Sequence, residues 1–174
     1  ADIPPFYCRL MTITSNSPGL ARVVVADARH LEALMSIMRV GFDPHYGEAW
    51  STAQLAGTLT LDGSFARQAV DANDNIQGFT LSRVVAGEAE LLLVAVDPQL
   101  RQRGIGRLLV EQVADDVRRY GASAMFLEVR ENNNAARQLY RSLGFIDVGR
   151  RANYYTGVSG ERFAAITMRR IVLD

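Results

Sequence analysis

The chain has 174 residues, 48% of them apolar, which is enough for one domain with a real core and too apolar for default disorder. Its 19 basic and 19 acidic residues cancel, so nucleic acid, which calls for a basic surplus, is not an expected partner. The longest apolar run, Leu91–Val96, is far short of the roughly 20 residues of a membrane-spanning helix, and a single cysteine, Cys8, excludes a disulfide framework or a cysteine-rich metal site within the chain.

In chain order, residues 1–20 read as a tail, with linker chemistry in "TSNSPG" (Thr14–Gly19). The first ten residues lack the basic start and apolar centre of a signal peptide, and Met11 is an alternative start, so a cytoplasmic protein is expected. A single domain is expected over 21–174. "ARVVVAD" (Ala21–Asp27) is a β-branched strand. Asp27 then caps a helix through "ARHLEALMSIMRV", with Leu31, Leu34, Met35 and Met38 on one face. "GFDPHYGEAW" (Gly41–Trp50) is a loop, and Ser51 caps a short helix, "TAQLAGTLTL". His30 and His45 are read as an exposed helix residue and a loop residue, too isolated for a metal motif.

Two strands follow, "SFARQAVDA" and "IQGFTLSRVVAG", joined by the hairpin signal Asn73–Asn75. "EAELLLVAV" is a buried strand. It leads through a glycine-rich turn, "RQRGIG" (Arg101–Gly106), into a helix over Gly106–Gly121. Then come the strand Ala124–Arg130, a helix ending at Gly144, and two strands, "FIDVGRRANYY" and "RFAAITMRRIVL", around Thr156–Gly160. The order is β α α β β β α β α β β. Hairpins and crossovers together predict one mixed α/β sheet with helices on both faces.

The turn after the buried strand wants an anion. Gly104 and Gly106 let backbone approach a ligand, helix N-terminal amides carry the positive end of the dipole, and Arg101, Arg103 and Arg107 add charge. The spacing R-x-x-G-x-G is not the G-x-G-x-x-G dinucleotide fingerprint. The residues after Gly106, Arg107 and Leu108, do not complete a Walker A loop. A pyrophosphate fits. A purely structural turn fits as well.

Further motifs lie downstream. "VAVDPQLRQRGIGRLL" is followed by "LEVRENNNAARQLYRSLGF" (Leu127–Phe145), by N-Y-Y, and by G-x-R-F-A-A-I-T-M. In this order they resemble the GNAT superfamily of acetyl-CoA-dependent N-acetyltransferases over about Glu88–Met168, and within it the RimI-like branch, which acetylates the N-terminal alanine of a ribosomal protein. Residues 1–60 match weakly beyond "EAWS" (Glu48–Ser51). The resemblance implies a GNAT fold: a single, mainly antiparallel central sheet of about seven strands flanked by about four helices.

It also implies roles. Gln102, Arg103, Gly104, Ile105, Gly106 and Arg107 would hold the pyrophosphate of coenzyme A, and Asn133 would contact the same molecule. Val94, Ala95 and Val96 would pair their backbone with the pantetheine arm, and one of their amides would stabilise the oxyanion. They would serve equally as a plain core strand. Asn132 and Asn134 are expected as caps or loop residues. Glu128 matches the general base and Tyr140 the general acid. Trp50, Tyr154 and Tyr155 would flank the acceptor, with Glu88 and Glu90 as further attractants for a cationic amine. No metal is implied. Read without the family, Tyr140 is an interfacial aromatic, Glu128 an edge-strand solvent residue or an arginine's partner, and the paired tyrosines strand residues packing across the sheet.

Magnitudes refine these roles. An α-amine with a pKa near 8 is roughly a tenth to a fifth neutral near pH 7.2, whereas a lysine amine near 10.4 is roughly 0.1% neutral. An α-amine therefore asks little of its base. A glutamate with an ordinary pKa near 4.3 is a poor direct acceptor, uphill by about 5 kcal/mol, so Glu128 is expected to act through a water or with a pKa raised by burial. A phenol near 10 protonating a thiolate near 8.5 is uphill by about 2 kcal/mol, so a hydrogen bond from Tyr140 to the leaving sulfur is the better description. One departure bears on the acceptor: RimI-like proteins often carry Asn where this chain has Leu93. A protein N-terminus is the expected acceptor. A small-molecule amine or a protein lysine is the alternative within the superfamily, and a non-catalytic coenzyme A-binding module the alternative outside it.

Overall fold

The computed structural model describes residues 21–172. The expected tail, with Cys8 and Met11, lies outside the described residues. Seven strands form one sheet in the order β1-β2-β3-β4-β5-β7-β6. They are β1 (Arg22–Ala26), β2 (Ser64–Val70), β3 (Ile76–Val85), β4 (Glu88–Val96), β5 (Ala124–Arg130), β6 (Ile146–Thr156) and β7 (Arg162–Ile171). Every neighbouring pair is antiparallel except β4 and β5. Four α-helices complete the fold: α1 (Leu31–Gly41), α2 (Thr52–Leu59), α3 (Ile105–Arg119) and α4 (Asn134–Ser142).

Local chemistry sets the helix ends. Asp27 accepts from the amide of Arg29 and caps a 3-10 turn (Ala28–His30) that leads into α1. Ser51 and Gln54 exchange side-chain and backbone bonds across the first turn of α2, a capping box. The apolar stripe of α1 packs Leu34, Met35 and Met38, together with Ile37, against Phe79, Leu81, Leu93 and Ala95 on one face of the sheet. On the other face, Val110, Val113, Ala114 and Val117 of α3 meet Met125, Leu127 and Val129 of β5. Tyr140 and Leu143, from α4 and its end, join them.

Two irregularities open the sheet and shape its rim. In β4 the register shifts between the pairs Ser82↔Leu91 and Leu81↔Leu93, which leaves Leu92 as an extra residue. Such a bulge bends its strand. The parallel pairing of β4 with β5 then covers only Glu88↔Ala124, Ala89↔Met125 and Glu90↔Phe126. Beyond Glu90 the two strands part and the sheet opens. In β6 the pairs Arg151↔Ala165 and Tyr155↔Phe163 leave Ala152, Asn153 and Tyr154 opposite Ala164 alone. Asn153 has a φ of 57° at that point. The strand expected as continuous over "FIDVGRRANYY" is therefore arched where its tyrosines stand.

Candidate functional site

A cavity of about 750 Å³ fills the opening between β4 and β5. Its wall includes Leu91–Val96 of β4, Leu127–Arg130 of β5, the turn before α3, one side of α4, the loop between α1 and α2, and the tyrosines of β6. Of the residues expected to act, Trp50, Val94, Ala95, Val96, Gln102, Gly104, Ile105, Gly106, Arg107, Glu128, Asn133, Tyr140, Tyr154 and Tyr155 all reach this wall. Arg103 is exposed and is not part of it. Glu90 reaches the wall and Glu88 does not.

One end of the cavity is suited to an anion. Gly104 stands before α3 with a φ of 83°, a conformation that favours glycine, and no side chain caps the helix. The amides of the first turn therefore keep their donors for a ligand. Arg101 donates to the carbonyl of Gly41 at 2.6 Å and Arg107 to the hydroxyl of Ser142 at 2.7 Å, so these two cations also tie the turn to α1 and α4. Gly106 packs so closely that a Cβ there would lie 3.2 Å from Leu139 Cδ2. Asn133, expected as a ligand contact flanked by capping asparagines, is itself the cap of α4, accepting from the amide of Ala136 at 3.2 Å. Its amide nitrogen has no part in that bond. Asn132 instead accepts from Arg130, and Asn134 opens the helix.

The other end gathers carboxylates and phenols. Alternation along β5 puts Leu127 and Val129 under α3 and α4 and sends Glu128 and Arg130 to the opposite face. Tyr140 comes from the α4 side, and the open sheet lets the two meet one cavity. Glu128 has an arginine as partner: Arg151 Nη1 donates to its Oε1 at 2.8 Å, and the guanidinium lies 4.3 Å over the ring of Tyr154. The bond to Glu128 in turn holds the Arg151 guanidinium charged, above its usual range. Tyr155 donates its hydroxyl to the backbone carbonyl of Glu128 at 3.4 Å and stacks edge-on to Tyr154. Tyr140 is buried, and among the described residues its hydroxyl has no hydrogen-bond partner.

Burial first, then the charge of Glu48, raises the Tyr140 hydroxyl above the ordinary phenol range. Tyr155 rises for the same leading reason, with Glu48 and Glu128 adding to it. Tyr154 rises first through its hydrogen bond with Glu128. All three stay protonated donors throughout the neutral range. Because their folded values lie above their unfolded ones, their contribution to stability is complete below about pH 10 and is lost as pH rises further. In an alkaline titration followed by tyrosinate absorbance, these three of the six tyrosines are expected to ionise late, together with unfolding. Tyr140→Phe is expected to remove one late step.

Sequence reasoning missed three members of this end. Glu48 bonds Arg130 through Nε–Oε1 at 3.2 Å and Nη2–Oε2 at 3.4 Å. Arg130, itself buried, lies 3.2 Å over the ring of Tyr46. Arg151 is the third. None belongs to a spaced motif, and the pair Glu48–Arg130 is separated by 82 positions. The only signal was that "EAWS" stood beside the expected Trp50. Leu93, in the position where RimI-like proteins often carry Asn, turns its buried side chain into the core under α1 and also reaches the cavity wall. Among the described residues no group of three or more His, Cys, Asp or Glu is placed to hold a metal ion, and no helix is long and apolar enough to cross a membrane.

The sequence model of the Acetyltransferase (GNAT) family matches residues 31–145. The chain is 42% identical over 95 residues to the ribosomal protein bS18-alanine N-acetyltransferase of Salmonella typhimurium, a match covering 55% of this chain and 64% of that protein. It is 33% identical over 171 residues to the N-alpha-acetyltransferase RimI of Mycobacterium tuberculosis, covering 92% of this chain and 96% of that one. Among solved structures, the ribosomal-protein-S18-alanine N-acetyltransferase from Escherichia coli superposes with a TM-score of 0.79 at 30% identity, over 89% of this chain and 96% of that chain.

Proposed function

Because the chain belongs to the GNAT acetyltransferase family, we propose that it transfers an acetyl group from acetyl-CoA to the N-terminal α-amine of a protein, a ribosomal protein N-terminal alanine being the favoured acceptor. The observation that carries this reading is the parting of β4 and β5. It joins an uncapped helix N-terminus to a carboxylate and an unpartnered phenol within one cavity. The relatives named for bS18-alanine and N-alpha acetylation favour the α-amine over other acceptors.

In this reading the turn Gln102–Arg107 and the first amides of α3 hold the pyrophosphate, with Asn133 Nδ2 beside it. The backbone of Val94–Val96, no longer paired with β5, receives the pantetheine arm as an added strand. A backbone amide of that segment faces the thioester oxygen as negative charge develops there. The acceptor amine enters from the tyrosine end. Glu128, already engaged by Arg151 through one oxygen, takes the amine's proton through a water. The amine then attacks the thioester carbon, its second proton leaves through the same water to solvent, the carbon–sulfur bond breaks, and Tyr140 donates a hydrogen bond to the departing thiolate. The raised Tyr140 makes full proton transfer still less favourable than for a free phenol, so the hydrogen bond is its contribution. Trp50, Tyr154 and Tyr155 flank the acceptor's first residues.

The test is thiol release from acetyl-CoA with a panel of acceptors: peptides starting Ala-Arg, the same peptides with a blocked N-terminus and one lysine, polyamines, and amino acids. Turnover confined to free N-terminal peptides supports the assignment. Preference for the blocked lysine peptide or a small amine overturns it and directs attention to Leu93.

The donor end makes a separate prediction. At Gly104 there is open space for a side chain, but the φ of 83° is strained for any L residue. Gly104→Val is expected to cost about 1–2 kcal/mol of stability and to raise the acetyl-CoA dissociation constant by about tenfold or more, measured by calorimetric titration. Gly57→Ala, in α2 with nothing within 4 Å, is the control and is expected to leave acetyl-CoA binding unchanged.

A further inference from the structure

We propose that Glu48 is a second acceptor-binding carboxylate, which holds the ammonium of the incoming amine opposite Glu128 and so makes the enzyme selective for cationic acceptors. This role rests on the acetyltransferase reading of the cavity. The acceptor end is built twice over. Glu128 is gripped by Arg151, whose guanidinium lies over Tyr154. Glu48 is gripped by Arg130, whose guanidinium lies over Tyr46. In each case an arginine stacked on a tyrosine fixes a carboxylate that reaches the same cavity.

Glu48 is also rigidly placed. Gly47 before it has a φ of 64°, and a Cβ there would fall 2.5 Å from the carbonyl oxygen of Thr156, so this loop sits directly on the end of β6. The amide of Val158 donates to the carbonyl of His45 at 3.3 Å from the same side. The Glu48 side chain is only 14% exposed, yet its two bonds to Arg130, at 3.2 and 3.4 Å, are long for a charge-assisted pair. Its oxygens retain capacity to accept from a second cation.

A further observation points to a ligand here. Tyr140, about nine-tenths buried, presents a hydroxyl without a partner among the described residues to this end of the cavity. Glu48 is close enough to influence both Tyr140 and Tyr155, and Glu128 influences Tyr155 as well. Glu48 thus lies near both phenols, and Glu128 near Tyr155, whose hydroxyl bonds its backbone carbonyl. The cationic side chains divide accordingly: Arg101 and Arg107 stand at the turn before α3, while Arg130 and Arg151, at the acceptor end, are each already paired with a carboxylate. With Glu90 also on the cavity wall, the acceptor end carries unbalanced negative charge. An ammonium held by Glu48 would pass one proton through a water to Glu128, and the neutral amine would still have an N–H to donate to Glu48.

The test is steady-state kinetics with whichever amine the wild-type protein acetylates, so that an error in the acceptor class is exposed by the wild-type panel and not confused with an error about Glu48. Glu48→Gln is expected to raise the acceptor KM roughly tenfold, between the effects of exposed and buried charge pairs. The acetyl-CoA KM should stay within twofold. Because Glu48→Gln also leaves buried Arg130 without its counter-charge, a double variant, Glu48→Leu with Arg130→Met, separates fold from recognition. Its thermal midpoint is expected to return toward that of the wild type while its acceptor KM stays raised. An acceptor KM that recovers along with the midpoint, or a Glu48→Gln KM within twofold of wild type, overturns the proposal and leaves Glu48 as the structural partner of Arg130.

Discussion

Glu128→Gln is expected to lower kcat by about 10²–10⁴-fold, the usual range for a positioned proton-transfer group, and Tyr140→Phe by about 10²–10³-fold, the range for losing a hydrogen-bond donor to developing negative charge, each with acetyl-CoA affinity within twofold of wild type. Each change keeps the shape of its side chain. Glutamine can still meet Arg151 but cannot take a proton. Phenylalanine keeps the edge contact of the Tyr140 ring with Phe145 and loses only the hydroxyl. The two losses should not multiply, because both residues serve one transfer and the effects of groups acting together are strongly non-additive. Single-turnover thiol release and acetyl-CoA titration read the two quantities separately. A binding module without catalysis would be indifferent to both changes, so turnover within threefold of wild type in both variants would falsify the assigned roles.

The largest effect on stability is expected from Asp116→Ala. Asp116 is 3% exposed and binds Arg67 of β2 through both oxygens, at 2.7 Å to Nε and 2.8 Å to Nη2. Gln112 donates to it as well, at 3.3 Å. It sits in the last turns of α3, where the helix dipole disfavours an anion; Arg119 of the same helix stands 3.7 Å away, but the close bidentate partner is Arg67 of β2. Alanine would leave the guanidinium of Arg67 largely buried and uncompensated, at a cost of about 3–5 kcal/mol. For a domain of this length that corresponds to a fall in Tm of roughly 6–20 °C. Replacing both partners with apolar residues, Arg67→Met with Asp116→Leu, is expected to recover most of the loss. Thermal unfolding of the three variants checks both statements. Acetyl-CoA binding at low temperature should survive in each. The start of α3 is held by Ile105 and Leu109 in a separate apolar cluster with Ala69, not by the ion pair near its other end.

Most of the residues singled out in the sequence line one cavity in the fold, and the reason is local. Residues close in sequence answer to each other through backbone geometry. A β-branched run makes β1, Ser51 followed by Gln54 makes a capping box, and a glycine-rich turn between strand and helix makes an anion-binding end. The donor half of the cavity is of this kind. Its proposed contributors, Val94–Val96 and Gln102–Arg107, are nearly continuous; the turn by itself suited a pyrophosphate or a purely structural role, and the family resemblance supplied the assignment to coenzyme A. The identity of Glu128 and Tyr140 came from motif order, since neither residue type at a spacing of twelve means anything by itself.

The acceptor half was decided by tertiary structure. The partners there are separated by tens of positions: Arg130 from Glu48 by 82 and Arg151 from Glu128 by 23. Periodicity does not reach over such distances. Asp115 and Asp116 are chemically alike and adjacent, yet Asp115 pairs at the surface with Arg118 and Asp116 is buried against Arg67. Only the packing of α3 on β2 distinguishes them. Asn133 could be assigned to the ligand by resemblance, but its side-chain oxygen was claimed by the start of α4. The two bulges were invisible for the same reason, because a register shift is a property of a strand pair and not of a strand. What the sequence determined by itself was the element order, the glycine-rich turn before α3 and, through its motifs, the family. What the folded chain alone decided was where β4 leaves β5, and which distant charges that opening brings within reach of one another.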